Sequence, residues 1–425
     1  MNRVSFPNMA YSPGASPAPK LSSGGPAEGS VGASSGVSSS GFPTGDAQTA
    51  AGQVFALHTP NDSLVATGVR DTLPAGTAAT LGRRVKAFFD ANEGGPELLV
   101  GAIPFSCRQN DYLVQPREIT RQRPDTTPAA LRSHGRWQVT STPTRQGYAD
   151  MVAEALRRIS LTSLEKVVLA RQLKVEADQL LDHAYVASRL ARDPSVTAYA
   201  VPLPRAGGPL RTLVGGTPEL LVAKRSNRVL SNPLAGSARR MADPQQDQAV
   251  SRQLSASEKN LREHAAVVEC ILDLLTPYCS QLVAPAGPSL QTTASMWHLG
   301  TQIEGTLKDD TVSAAGLAAL LHPTPAVGGL PTAAALALID ELEPFDRSFY
   351  AGAVGWVDRQ GDGEWYIALR CGEICERSIA LYAGAGIVAG SHPEAEAQET
   401  SAKFLALLEA LGIDEQGVPL EETQP

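Results

Sequence analysis

Near the C-terminus, "PEAEAQETSAK" sets Glu396, Glu399 and Lys403 at offsets of three, four and seven, which is one face of a helix. On its own a Glu–Lys pair at this spacing reads as a solvated helix face. A second carboxylate at the start of an apolar run shifts that reading. In "SASEKNLREHAAVVECILDLL", Glu263 and His264 lead into a helix so apolar that most of its circumference is expected to be buried. If the two helices converge, several carboxylates share one site, and like charges brought together need a cation. Oxygen-only donors of this kind suit Mg²⁺, which keeps waters and contacts an anionic substrate. Glu394, three residues after Ser391, has a plainer job in a capping box at the helix start.

Two further residues offer acid–base chemistry. In "EKVVLAR", Lys166 shares a strand face with Val168 and Ala170. Such a lysine is either an edge residue with its ammonium in water or, pointed into a cleft, a candidate general base. In "GGTPELL", Glu219 follows a Gly-Gly-Thr-Pro turn and precedes an apolar run. It is either a solvated turn carboxylate or, if flanking strands bury it, a general acid with a raised pKa. Arg370 in "YIALRCGEI" and Lys403 are candidates for binding a carboxylate, Arg in bidentate geometry. Gly384 and Gly386 of "YAGAGIV" are either bulges or points where a ligand approaches backbone amides, and the stretch lacks the Lys-Ser/Thr ending of a P-loop.

These residues need a scaffold of strands and helices. "SLVATGVRDTL", "EKVVLARQLKVEA", "RTLVGGTPELLVAKRSNRVLSNPLAG", "RSFYAGAVGWVD" and "EWYIALRCGEI" read as strands and hairpins. "YADMVAEALRRI", "HAYVASRLAR", "SASEKNLREHAAVVECILDLL" and "ETSAKFLALLEAL" carry helical spacing. Runs of strands with helices grouped elsewhere predict an α+β fold and not regular βαβ alternation. Residues 1–52, mostly Ser, Gly, Ala, Pro and Thr, are predicted to form a disordered tail, residues 53–413 the catalytic domain, and residues 414–425 a loose C-terminal tail.

The 425 residues are 43% hydrophobic, enough for a sizeable core, and a net charge of -8 argues against nucleic acid as a partner. Five scattered cysteines without a secretory segment predict reduced thiols and a cytoplasmic protein. Cys371 and Cys375 lack the second pair of ligands that a zinc site needs. No apolar run reaches the length of a membrane span.

Taken together and in order, "EKVVLARQL", "GGTPELLV", "LSNPLAGSARR", "SEKNLREHAAVVE", "MWHLGTQIEGTL", "LHPTPAVGGLP", "FDRSFYAGAVGW", "YIALRCGEI" and "AGAGIVAGSHPEAEAQETSAK" resemble the chorismate-utilising enzymes, and within them the isochorismate synthases of siderophore pathways. The resemblance spans residues 160–410 and, more weakly, begins near residue 53. It implies one α+β domain whose mixed or antiparallel sheets enclose the site with helices outside. It also implies an Mg²⁺-dependent isomerase that adds water at C2 of chorismate and expels the C4 hydroxyl. Lys166 would be the base and Glu219 the acid. Glu263, Glu396 and Glu399 would hold Mg²⁺. Ala235, Gly236, Ser237, His298, Arg370, Gly384, Gly386 and Lys403 would bind substrate. Ser237, where salicylate synthases usually carry Thr, favours isochorismate as the end product over further pyruvate elimination. The menaquinone-pathway enzymes match "SNPLAGSARR" less well, and a chorismate-binding protein without turnover would have lost some of these groups. The same likeness implies a monomer that needs no amidotransferase subunit.

Overall fold

Of the chain, the computed structural model describes residue 52 and residues 54–92, 94–121, 135–203, 210–285 and 287–420. The Ser/Gly-rich stretch up to residue 51 lies outside them, as do residues 421–425.

Seventeen strands pair into one sheet. Its pairings form a single path. From the edge strand Cys279–Val283 it runs through Ile303–Leu307, Arg228–Asn232, Leu220–Arg225, Gly363–Ile367, Ala353–Asp358, Leu98–Ile103 and Tyr112–Thr120. It continues through Ser63–Thr72, Val54–His58, Thr197–Leu203, Arg211–Thr217, Cys371–Cys375 and Ser378–Val388 to Lys166–Ala177. That last strand is flanked by Gly329–Leu330 at its start and Trp137–Thr142 along its second half. Among the described residues every pairing is antiparallel and none joins the two ends, so the sheet is open and contains no parallel pair. A separate three-stranded sheet holds Leu234–Arg239, Met296–Gly300 and Ser289–Thr292.

Two places in this path matter for the site. Arg211–Thr217 and Leu220–Arg225 are consecutive in the chain but lie in different halves of the sheet, and so do Gly363–Ile367 and Cys371–Cys375. The chain therefore crosses between the halves at Pro218–Glu219 and again at Ala368–Arg370. The Gly216 amide donates to Arg370 O at 3.2 Å and the Ile367 amide to Glu219 O at 3.1 Å, so the two crossovers lie side by side. Pro218, which has no N–H to leave unpaired, suits a point where the ladder is abandoned.

Among the described residues, the strand Lys166–Ala177 has no strand neighbour beside Val168 and Ala170 on its outer edge, between its two short partners. Buried side chains fill the gap. Arg347 donates to Val168 O at 2.7 Å, Glu343 accepts from the Ala170 amide at 2.7 Å, and the two side chains pair at 2.6 Å. Val168 O and the Ala170 amide are thereby satisfied without a further strand.

Three expectations are corrected. "SASEKNLREHAAVVECILDLL" is broken at Ser257, whose hydroxyl accepts from the Asn260 amide and caps a new helix, Glu258–Leu275, after Pro244–Ala256. That second helix buries one stripe, His264, Val267, Ile271 and Leu275, and not most of its circumference. No capping box forms at the last helix, Pro393–Leu411, whose N-cap is His392. Pro393 takes the first turn, the Ser391 hydroxyl accepts from the Val388 amide, and Glu394 pairs loosely with Arg145 at 3.6 Å. Apart from these three, the structure sets an isolated bridge between Ile413 and Pro419 and places Glu415 2.9 Å from the buried Arg171.

Candidate active site

With one exception, every residue given a catalytic, substrate-binding or metal role from the sequence lines a single cavity. The exception is Lys166, which stands behind the lining residue Glu263, its Nζ 2.8 Å from Glu263 Oε1. Of the two readings of Lys166 the solvated edge is excluded, because the residue is 2% exposed. Pairing places Val168 opposite Gly386 and Ala170 opposite Gly384. A Cβ at Gly386 would sit 2.4 Å from Glu263 Oε1 and 3.1 Å from Lys166 Cε, so glycine there leaves the space that the ion pair occupies. At Gly384 a Cβ would meet Leu169 O and the Tyr350 hydroxyl, both at 2.9 Å.

Glu219, at its crossover, is also 2% exposed, and among the described residues its Oε1 has no hydrogen-bond partner. Burial pushes its carboxyl up to about 7, although the Leu234 amide and the ammonium groups of Lys166 and Lys403 pull the other way. A carboxyl that is half protonated near neutrality can give a proton to a ligand in the cavity.

The helix Pro393–Leu411 supplies the opposite wall. Glu396, Glu399 and Lys403 do share one face, turned inward. Lys403 Nζ lies 2.7 Å from Glu399 Oε1 and donates to Gly384 O at 2.9 Å, while Ser237 donates to Glu399 at 2.9 Å. Burial opposes ionisation of Glu399, yet Lys403, Ser237 and Lys259 together hold its carboxyl below the usual range. Glu396 moves the other way: burial and then the negative charge of Glu399 raise it, against the pull of Lys259 at 2.7 Å.

Arg370, at the second crossover, is buried and has a φ of 45°. It donates to Thr293 Oγ1 at 2.9 Å and to His298 Nε2 at 2.5 Å. An arginine cannot accept, so His298 offers a lone pair at Nε2. Burial, then the charges of Arg370 and Lys403, hold this imidazole well below its ordinary pKa, and it is neutral. Burial likewise pushes the Arg370 guanidinium down to about 10, still protonated at neutral pH. Ala235, Gly236 and Ser237 come from a bulged strand, Leu234–Arg239, of the small sheet. Gly236 has a φ of 82°, and His264, below it, meets Ala235 O through Nδ1 at 3.2 Å and Thr301 through Nε2 at 2.7 Å.

Several lining residues were not anticipated. Lys259 and Asn260 lie one turn before Glu263 and were legible from helical spacing. Tyr350 and Tyr382, stacked with ring centroids 5.1 Å apart, come from distant segments and carry no local signal.

The cavity thus joins buried acid–base groups to carboxylate pairs and to an arginine held by a neutral histidine, and known proteins share this sequence. The profile of chorismate binding enzymes matches residues 108–412, most of the chain. The chain belongs to the chorismate-binding enzyme family. Among its relatives in this family is the isochorismate synthase DhbC of Bacillus subtilis (strain 168), 42% identical over 379 residues, with 85% of this chain and 94% of the relative covered. The crystal structure of a putative 2,3-dihydroxybenzoate-specific isochorismate synthase, DhbC from Bacillus anthracis, superposes with a TM-score of 0.81 at 38% identity, covering 87% and 98% of the two chains. The menaquinone-specific isochorismate synthase MenF of Escherichia coli gives a TM-score of 0.72 at 25% identity over 87% and 92%. Among the described residues of this chorismate-binding enzyme, no helix is long and apolar enough to cross a membrane.

Proposed function

We propose that the protein is an isochorismate synthase of the siderophore type, converting chorismate to isochorismate. The observation that carries this reading is Glu219: a buried carboxyl with its pKa raised to about 7, opening on the same cavity as Glu263, the partner of Lys166. The reaction joins a water oxygen to C2 of the ring, shifts a double bond and releases the C4 hydroxyl. Lys166 Nζ takes the proton from the attacking water. Glu219 gives its proton to the departing hydroxyl, which leaves as water, so substrate and product have the same mass. Arg370, oriented by Thr293 and His298, and Lys403 bind the carboxylates of the dianion, with amides near Gly384 and Gly386 assisting. Ala235, Gly236, Ser237 and His298 shape the rest of the pocket.

Among the described residues no three acidic, histidine or cysteine side chains cluster closely enough to hold a metal alone. Mg²⁺ does not require that, since it usually takes one or two carboxylates, waters and an anionic ligand. Glu396, buried, and Glu399, half-buried one turn away, fit as such donors, with Glu263 as a third, directly or through water. Bound there, Mg²⁺ would neutralise the ring carboxylate and withdraw electron density from the ring. The protein is further proposed to act in the cytoplasm as a monomer without an amidotransferase subunit.

Incubating the purified protein with chorismate, with and without Mg²⁺, and separating products by chromatography with mass detection tests the reading. An isomer of unchanged mass that forms only with Mg²⁺ is the expected result. Salicylate with pyruvate would make the protein a salicylate synthase, and binding without turnover would remove it from the enzymes.

A further inference from the structure

Each acidic residue of the proposed metal set is matched with its own lysine. Glu263 has Lys166, Glu399 has Lys403, and Glu396 has Lys259. Lys166 and Lys403 have other work in the proposed mechanism. Lys259 has none: it is not required by the chemistry, yet it lines the cavity, and its Nζ lies 2.7 Å from Glu396 Oε1. Its side chain is 31% exposed while that of Glu396 is 4% exposed, so the lysine reaches in from the rim to a carboxylate that cannot reach out.

Glu396 needs such a partner. It is buried one turn from the acidic Glu399 on the same helix, and the Lys259 ammonium is the cation paired with it. A lone ammonium on a flexible stem is an exchangeable counterion, because it makes point-charge contact and its rim end has water available. We propose that Lys259 is a placeholder for the divalent cation: it occupies Glu396 when the metal is absent and competes with the metal for that carboxylate. The inference rests on the proposed metal role of Glu396. The competition weakens binding of free cation, and a ligand that draws the Lys259 ammonium away from Glu396 strengthens it. A dianionic substrate in the same cavity is such a ligand, so metal and substrate favour each other's binding, reciprocally.

The test is titration of the full-length protein with Mn²⁺ alone, followed by electron paramagnetic resonance of the free ion, with Mg²⁺ competing. Lys259→Met keeps the apolar stem and removes the charge. It is expected to bind Mn²⁺ about tenfold more tightly than the parent, a gain equivalent to about 1.4 kcal/mol. Arg262→Gln removes a neighbouring positive charge from an exposed position on the same helix and is expected to change affinity less than twofold. Unchanged or weaker binding by Lys259→Met, or equal tightening by Arg262→Gln, overturns the placeholder role and leaves the metal site standing. Glu396→Gln separates the two ideas: if it binds Mn²⁺ as the parent does, the metal reading of Glu396 fails, and the placeholder with it.

Discussion

Glu219 must be uncharged to give up a proton, and its place in the fold arranges this. Moving the carboxyl from 4.5 to about 7 means that ionising it in the folded chain costs about 3 kcal/mol more than in the unfolded chain. The sign follows directly: the folded state holds the extra proton between these values, so this group's contribution to stability declines as pH rises from about 4.5 through 7 and is flat above. Glu219→Gln is expected to remove that component, so that its melting temperature gains on the parent's between pH 5 and pH 8, while turnover falls by at least about a hundredfold. The parent's turnover is expected to decline above pH 7 as the acid is lost. A melting difference that does not change with pH would show that Glu219 is ionised throughout. Sequence reading made Glu219 a candidate because a carboxylate followed a Gly-Pro turn into an apolar run. It left open whether water reached that turn, because burial there comes from a second crossover about 150 residues away, at Arg370.

At the scale of elements, alternation and helical spacing found the strand of Lys166 and the helix of Glu396, because both signals lie within a dozen consecutive residues. Their registration against each other is not local. Gly386 shows why it matters: opposite Val168, it leaves open the volume in which Glu263 meets Lys166. In Gly386→Ala the added methyl would lie 2.4 Å from Glu263 Oε1, the end of a flexible side chain, so the carboxylate would swing away while the strand stays in place. Turnover is expected to fall about a hundredfold or more, with stability changed by only about 1 kcal/mol, as judged by kinetics alongside denaturant unfolding. Loss of stability without loss of turnover would mean that the Lys166–Glu263 contact is incidental. The Ser391–Glu394 spacing misled for a related reason: Pro393 started the helix and the Ser391 hydroxyl found a different partner, the Val388 amide.

At the scale of the molecule, an acidic chain collects Lys166, Lys259, Arg370 and Lys403 around one cavity, which the net charge of -8 conceals. The α+β class was legible from composition and pattern. The open seventeen-strand path was not, because it depends on pairings between segments hundreds of residues apart, such as Leu98–Ile103 with Ala353–Asp358. The C-terminal segment is another such case. "EQGVPLEETQP" reads as a tail, but Glu415 reaches Arg171, whose side chain is 1% exposed. Arg171 lies on the strand of Lys166 and also donates to Thr400 at 2.9 Å and to Ser401 at 2.5 Å, beside Glu399 on the acidic helix. This one guanidinium therefore ties the strand, the helix and the final segment together. Ending the chain after Ile413 removes the Glu415 carboxylate and leaves a buried cation held by hydroxyls and the face of the Phe404 ring, a loss of about 1–3 kcal/mol. The truncated protein is expected to melt several degrees lower and to require more Mg²⁺ for half-maximal turnover, since Glu396 and Glu399 ride on the loosened helix. Glu415→Gln, which keeps a hydrogen-bond acceptor, should show a smaller effect in the same direction. If both variants melt like the parent and keep its Mg²⁺ requirement, Arg171 is held sufficiently by Thr400 and Ser401, and the final segment has no part in setting the acidic wall.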